Sequence, residues 1–321
     1  MPIVPVFGHE ELRRRLSEAR TRGVLPSSIL LHGPRGVGKQ RLGLWLGKLL
    51  LCASPADEPC GACQHCRFVE ELRHPDLSWY FPRPRLKDSD PDLADVRDDY
   101  AEAIAERVAD GGLYAPPSGS EGIFIATVRA LVQQAVMSPA PGTRKAFVIG
   151  DAERMVPQEG SEQAANAFLK LLEEPPDDTT VVVTSSESGA LLPTIRSRVT
   201  SFRVAPLGPD AMHSFLAHPA VAKRLKGERV PASSDERLRF AAGAPGRLFW
   251  GAEWALAMDT AERMLASIEG KGSPRRYDAA WQQASSKARG SFADTLDALS
   301  VALHARARDA IHDVPYVIGF W

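Results

Sequence analysis

Residues 33–40 read Gly33-Pro34-Arg35-Gly36-Val37-Gly38-Lys39-Gln40. They follow a short apolar run, Ile29 to His32, and precede a stretch that predicts a helix from about Gly38 to Leu51. Strand, glycine-rich loop and helix in that order make the setting of a phosphate loop. The glycines let the backbone curl so that its N–H groups face a β-phosphate. The helix N-terminus adds partial positive charge, and Lys39 adds a full one. Only the eighth position departs from the pattern. Ser or Thr there gives a hydroxyl to Mg²⁺. Gln40 offers a carboxamide on a longer, more flexible stem, which would ligate an ion weakly and place it poorly. A candidate nucleotide site therefore falls on Gly33, Gly36, Val37, Gly38, Lys39 and Gln40.

Outward from the loop, Lys145 to Ile149 predicts a second buried strand, and the β-branched run Thr180 to Thr184 a third. Between them Glu162 to Glu174 predicts a helix with Ala165, Phe168, Leu169 and Leu172 on one face, stopped by Pro175-Pro176. Strands alternating with helices indicate an α/β domain with a mostly parallel sheet, here residues 1–206. Residues 82–120 read as an insertion, rich in prolines and holding one amphipathic helix with Leu93, Val96, Tyr100, Ile104 and Val108 on its apolar face. A packed flap and a partner- or DNA-contacting arm are its two readings. Beyond Pro206 strand signals fade. Residues 207–250 predict a small helical domain. Residues 251–321 read as helical again, with Trp254, Ala261, Met264, Leu265 and Ile268 on one face.

Composition narrows the function classes. Apolar residues make up 44% of the 321 and charged residues 25%, and net charge is −1. That suits a globular chain and gives no electrostatic case for tight, unaided DNA binding. Met1 to Gly8 lacks the pattern of a signal peptide, and no run approaches the ~18 apolar residues of a membrane span. The expected location is the cytoplasm, with no membrane partner and with reduced cysteines.

Those cysteines are Cys52, Cys60, Cys63 and Cys66, the last three in a C-x2-C-x2-C run. Four thiolates within 15 residues suit a closed, structural, tetrahedral Zn²⁺ site in a module spanning 52–66. Iron–sulfur ligation fits the count as well, but nothing else in the chain suggests redox work. With four thiolates filling the shell, His65 and His74 read as surface or helix-end residues.

A phosphate loop followed closely by such a module resembles the bacterial clamp-loader subunits of DNA polymerase III, members of the AAA+ family. Four further segments resemble it too. These are His74-Pro75-Asp76, the run Asn166-Ala167-Phe168-Leu169-Lys170-Leu171-Leu172-Glu173-Glu174-Pro175-Pro176, Thr194-Ile195-Arg196-Ser197-Arg198, and Gly243-Ala244-Pro245-Gly246-Arg247. Val199 replaces the cysteine of the family's Ser-Arg-Cys element. Seven residues separate Cys52 from Cys60, where the family commonly has eight. The resemblance implies a helical lid at 207–250 and a helical collar at 251–321. It also implies a Mg²⁺-holding Asp at Gly150 and a water-orienting Glu at Asp151, so that with Gln40 two Mg²⁺ ligands are altered. It puts a nucleotide-sensing residue at Ser185, whose other reading is a strand-end hydroxyl capping the backbone. It puts a second sensor at Arg247, otherwise a surface arginine.

The altered loop resembles the delta-prime subunits, which hold the ring together and offer the Ser-Arg arginine to a neighbour's ATP. Arg198 is then catalytic in trans, and its other reading is an arginine paired with a local carboxylate. The resemblance implies structural zinc, with ATP and Mg²⁺ at a degenerate site. Implied partners are the motor subunits, a delta-type subunit and the sliding clamp, with primer–template DNA reached through the complex. The alternatives are an ATP-hydrolysing motor of gamma/tau type and a zinc-stabilised DNA-binding adaptor.

Overall fold

Three apolar runs form the middle of the sheet. In the computed structural model these are β1 (Ser28–His32), β3 (Lys145–Ile149) and β4 (Thr179–Ser185). Two short edge strands, β2 (Leu77–Tyr80) and β5 (Thr200–Arg203), complete the order β2-β3-β4-β1-β5. Every pairing is parallel, with His32 opposite Ser185 and Ile149 opposite Val183. Both β3 and β4 are buried at every position, as expected of parallel strands covered on both faces. The α/β phosphate-loop class read from the sequence is the class that forms. The structure describes residues 2–88, 91–117, 120–137, 144–155, 162–228, 230–269 and 289–312.

Helix α1 (Glu10–Thr21) precedes the sheet, and α2 (Lys39–Leu51) leaves the phosphate loop to pack on β3 and β4. Its buried face carries Leu42, Leu46 and Leu49, and Gly43 brings the helix close to Val148 and Val182. Helix α3 (Gln64–Glu70) closes the cysteine module. The insertion holds α4 (Leu93–Ala109), opened by a capping box between Asp92 and Asp95. Val96, Tyr100 and Ala103 are its buried residues, and it packs on α5 (Ile125–Val136). The Tyr100 hydroxyl donates to the Phe81 carbonyl at 2.6 Å, and Arg83 pairs with Asp99. The amphipathic helix is therefore part of a packed flap. Helix α6 (Glu162–Glu173) buries Phe168 and Leu172, as its pattern predicts, while the side chain of Ala165 lies outside the described residues.

The chain divides into two compact units. The first is Met1–Arg224 with Gly243–Gly246 and contains the sheet, α7 (Pro193–Arg196), α8 (Pro209–Ala217) and most of α9 (Pro219–Leu225). The second is Leu225–Ala242 with Arg247–Trp321 and contains α10 (Ser234–Ala241), α11 (Gly251–Glu269) and α12 (Arg289–His312). Its core is Trp254, Ala257, Ala261, Ala298 and Val301. Ile268, expected on that face, is 62% exposed, and in the last turn of α11 Ser267 is buried instead. A side-chain row holds its face only as far as a packing partner follows it. No helix among the described residues is long and apolar enough to cross a membrane.

Candidate functional site

The site lies at the carboxyl ends of β1, β3 and β4, where ligands of open parallel sheets bind. Gly33 leaves β1 with φ 155°, and a Cβ there would meet the Val204 carbonyl oxygen at 2.1 Å. Only glycine allows the loop to turn this close to the chain leaving β5. Gly38 caps α2 in a left-handed conformation, and the His9 ring bonds the Val37 carbonyl at 2.9 Å. The Lys39 ammonium donates to the Gly33 and Pro34 carbonyls and to the Ser186 hydroxyl, each at 2.9 Å. Burial pushes its pKa down to about 8, against the opposing pull of Asp151 and Glu153.

Gln40 does not point free carboxamide atoms at an ion. Its oxygen accepts from the Trp79 indole at 2.9 Å, and its amide donates to an Asp151 carboxylate oxygen at 2.9 Å. Gly150 supplies no carboxylate, and a Cβ there would meet the Gln40 carboxamide oxygen at 2.3 Å. The space of the missing aspartate is thus filled by Gln40. Asp151 itself has φ 48°, and its amide donates to the Thr184 hydroxyl. Burial, then the neighbouring Glu153, raise its pKa. One Glu153 oxygen accepts from the Ser186 amide, and the other is buried without a hydrogen-bond partner among the described residues. These residues do not fit a well-held Mg²⁺. The loop, the start of α2 and Lys39 retain the parts that fit a phosphate.

Two expected sensor residues have local partners. The Ser185 hydroxyl accepts from the Glu187 amide at 3.1 Å, and the neighbouring Ser186 is the residue that touches Lys39. In the second unit the buried Arg247 donates to the Ala241 carbonyl and lies 5.1 Å from the Trp254 ring centre. Arg198 follows α7, and its guanidinium donates to Glu173 of α6 and to the Thr194 carbonyl, each at 3.0 Å. The pair is part-exposed, 30% at Arg198 and 58% at Glu173, so it holds the arginine only weakly. Trp79, Glu153, Ser186 and His9 join the site without a motif to mark them. Their one sequence signal is position, at strand ends or just before a helix.

The cysteine module is built from α2 and α3. Cys52 ends α2, and Cys63 caps α3, its sulfur accepting from the Cys66 amide. The Cys60 amide donates to the Cys52 sulfur at 3.2 Å, and the Cys63 amide to the Cys60 sulfur at 3.4 Å. All four sulfurs lie within 4.8 Å of one another, and Cys60 and Cys66 are 3.9 Å apart. A tetrahedral site with metal–sulfur bonds of ~2.3 Å needs sulfurs roughly 3.8 Å apart, so the cluster fits one ion. Amides of Ala62 and Cys63 lower the Cys60 pKa. At Cys63 burial opposes, but amides of Ala53 and Cys66 hold it down to about 6. Burial pushes the Cys66 thiol up. His65 and His74 bond each other at 2.8 Å, and the Asp76 amide donates to His74, outside the sulfur cluster.

Comparison with known proteins follows the same lines. The chain is 31% identical over 219 residues to DNA polymerase III subunit delta' of Pseudomonas aeruginosa, covering 68% of this chain and 53% of that one. It is 28% identical over 213 residues to DNA polymerase III subunit gamma/tau of Mycobacterium bovis, covering 66% and 30%. The chain spans about half the length of the curated delta' relatives it matches. Among solved structures, a DNA polymerase III gamma subunit-related protein of Thermotoga maritima aligns over 91% of this chain and 77% of its own. Identity there is 20% and TM-score 0.37. Residues 8–208, more than half of the chain, match the family model described as DNA polymerase III, delta subunit, and the chain belongs to that family.

Proposed function

We propose that the chain is a delta-prime-type subunit of a replicative clamp loader, a scaffold that serves a neighbour's ATP and does not turn over its own. The observation that carries this reading is the Gln40–Gly150 arrangement. The carboxamide is held by Trp79 and Asp151, and no carboxylate stands at residue 150 to hold a metal. A motor needs both Mg²⁺ ligands. Arg198 is the residue for the neighbour: a guanidinium supplied in trans stabilises charge on the transferring phosphoryl group and is worth roughly 10³–10⁵ in rate. In this reading Cys52, Cys60, Cys63 and Cys66 hold one structural Zn²⁺. Any ATP bound at residues 33–40 is held without productive Mg²⁺ chemistry. The partners are the ATPase motor subunits, a delta-type subunit and the sliding clamp, with primer–template DNA met through the complex in the cytoplasm.

The gamma/tau relative favours a second reading, an ATP-hydrolysing motor. Two measurements separate the readings. Steady-state hydrolysis by the isolated chain with Mg²⁺ should stay well below ~1 s⁻¹, the lower edge of ordinary enzyme turnover. A tagged chain recovered from its host should bring motor subunits with it. Turnover at or above that rate favours the motor, and recovery without motor subunits removes the clamp-loader reading.

A further inference from the structure

The insertion places a cation beside the altered half of the phosphate loop. Arg107, near the end of α4, lies against three aromatic rings, its guanidinium carbon 4.5 Å from the Trp79 ring centre, 3.3 Å from Phe81 and 3.8 Å from Tyr114. Trp79 is the residue whose indole holds Gln40. The Arg107 Nη1 is buried and has no hydrogen-bond partner among the described residues. Arg41, two residues after Lys39, behaves alike: Nη2 donates to the Gly112 carbonyl at 2.6 Å, while Nη1 is buried and unpartnered there. Burial lowers both guanidinium pKa values to about 10. Asp151 feels three cations, Lys39, Arg35 and Arg107, against one further carboxylate, Glu153.

A buried charged N–H without an acceptor is destabilising, because it has lost its water and gained nothing in exchange. Packed interiors seldom keep such groups, and a polyphosphate at the loop would bring negative charge toward this cluster of cations. Meanwhile Gln40 occupies the space that a side chain at residue 150 would need. We propose that the phosphate loop binds a polyphosphate anion, the di- or triphosphate of a nucleotide, without a divalent cation, Arg107 of the insertion supplying the charge that the metal supplies elsewhere. The proposal rests on reading residues 33–40 as a phosphate site.

The test is calorimetric binding of ADP and of inorganic tripolyphosphate to the full chain, in EDTA and in Mg²⁺. Affinities in the two conditions should agree within about threefold. Arg107→Met should weaken metal-free binding by about tenfold or more with the thermal melt retained, and Arg107→Lys should keep part of it. Lys39→Ala should remove binding. Gln40→Thr with Gly150→Asp should make binding tighter in Mg²⁺. If Mg²⁺ tightens wild-type binding tenfold, or Arg107→Met binds as wild type, the arginine role is overturned while the phosphate site stands. If neither probe binds in either condition, the phosphate-site reading falls with it. The wild-type comparison needs no variant, so a misfolded Arg107→Met leaves the proposal open to refutation.

Discussion

Gln40 and Gly150 behave as one substitution spread over two positions. The carboxamide fills the volume a side chain at 150 would need, the two meeting at 2.3 Å. Gly150→Asp alone forces Gln40 out of its bonds to Trp79 and Asp151, and overpacking of this kind costs about 1–3 kcal/mol. Adding Gln40→Thr should restore most of that loss, so a double-mutant cycle read by chemical denaturation should give a coupling of about 1–3 kcal/mol. Additive effects would mean that the side chains do not compete. Lys39 makes a second prediction. Its pKa of about 8 reflects burial, and a phosphate beside it would raise that value. Phosphate binding near pH 8 should therefore take up about half a proton at this residue, and near pH 6, where the amine is already charged, almost none. Calorimetry in buffers of different ionisation enthalpy reads this, and equal uptake at both pH values contradicts it. The loop, Lys39 and the departures at Gln40 and Gly150 were legible in the sequence because each is a residue type at a fixed offset. The bond between Gln40 and Trp79 was not, since nothing local ties residue 40 to residue 79.

At the scale of elements, β1, β3, β4, α2, α4 and α6 were legible because their apolar periods are strong and their stops clear. Helix α1, EELRRRLSEART, is nearly all charged and polar, and packing, not pattern, brings it in. Strand β2 has only four residues, and β5 is an edge strand with Thr200, Ser201 and Arg203 exposed. Neither is long enough to show a period. The cysteine module was readable from spacing alone. Glu58 ties its loop to Trp45 of α2, with a 2.6 Å bond, and pairs with Arg13 of α1. Protein purified without added metal should carry one zinc per chain, and less than about half an equivalent, with no iron, would sink the site. Because the sheet has its own core, stripping the metal with a strong chelator should open amides of residues 52–73 to hydrogen exchange first. Protection in β1, β3 and β4 should change little. Cooperative loss across the sheet would show that the ion holds the whole domain.

At the scale of the molecule, two units share a chain of net charge −1, and the reading makes function collective. Under the proposed function, the chain would contribute a part-exposed arginine, an α/β domain braced by its cysteine module and a second, helical unit to an assembly. Among the described residues the Arg198 guanidinium is held by a part-exposed pair with Glu173, by the Thr194 carbonyl and by the Ser197 hydroxyl, contacts that would be exchanged for a neighbour's at small cost. Glu173→Gln should accordingly change the stability of the isolated chain by less than about 1 kcal/mol, as denaturation will show. The most direct measurement is nucleotide trapping at the single ATP site adjoining this subunit, in a clamp loader reconstituted with wild-type or Arg198→Ala chain and confirmed as fully assembled. The predicted result is intact assembly with hydrolysis at that site reduced by roughly 10³-fold or more. Unchanged hydrolysis there in an assembled complex would contradict it.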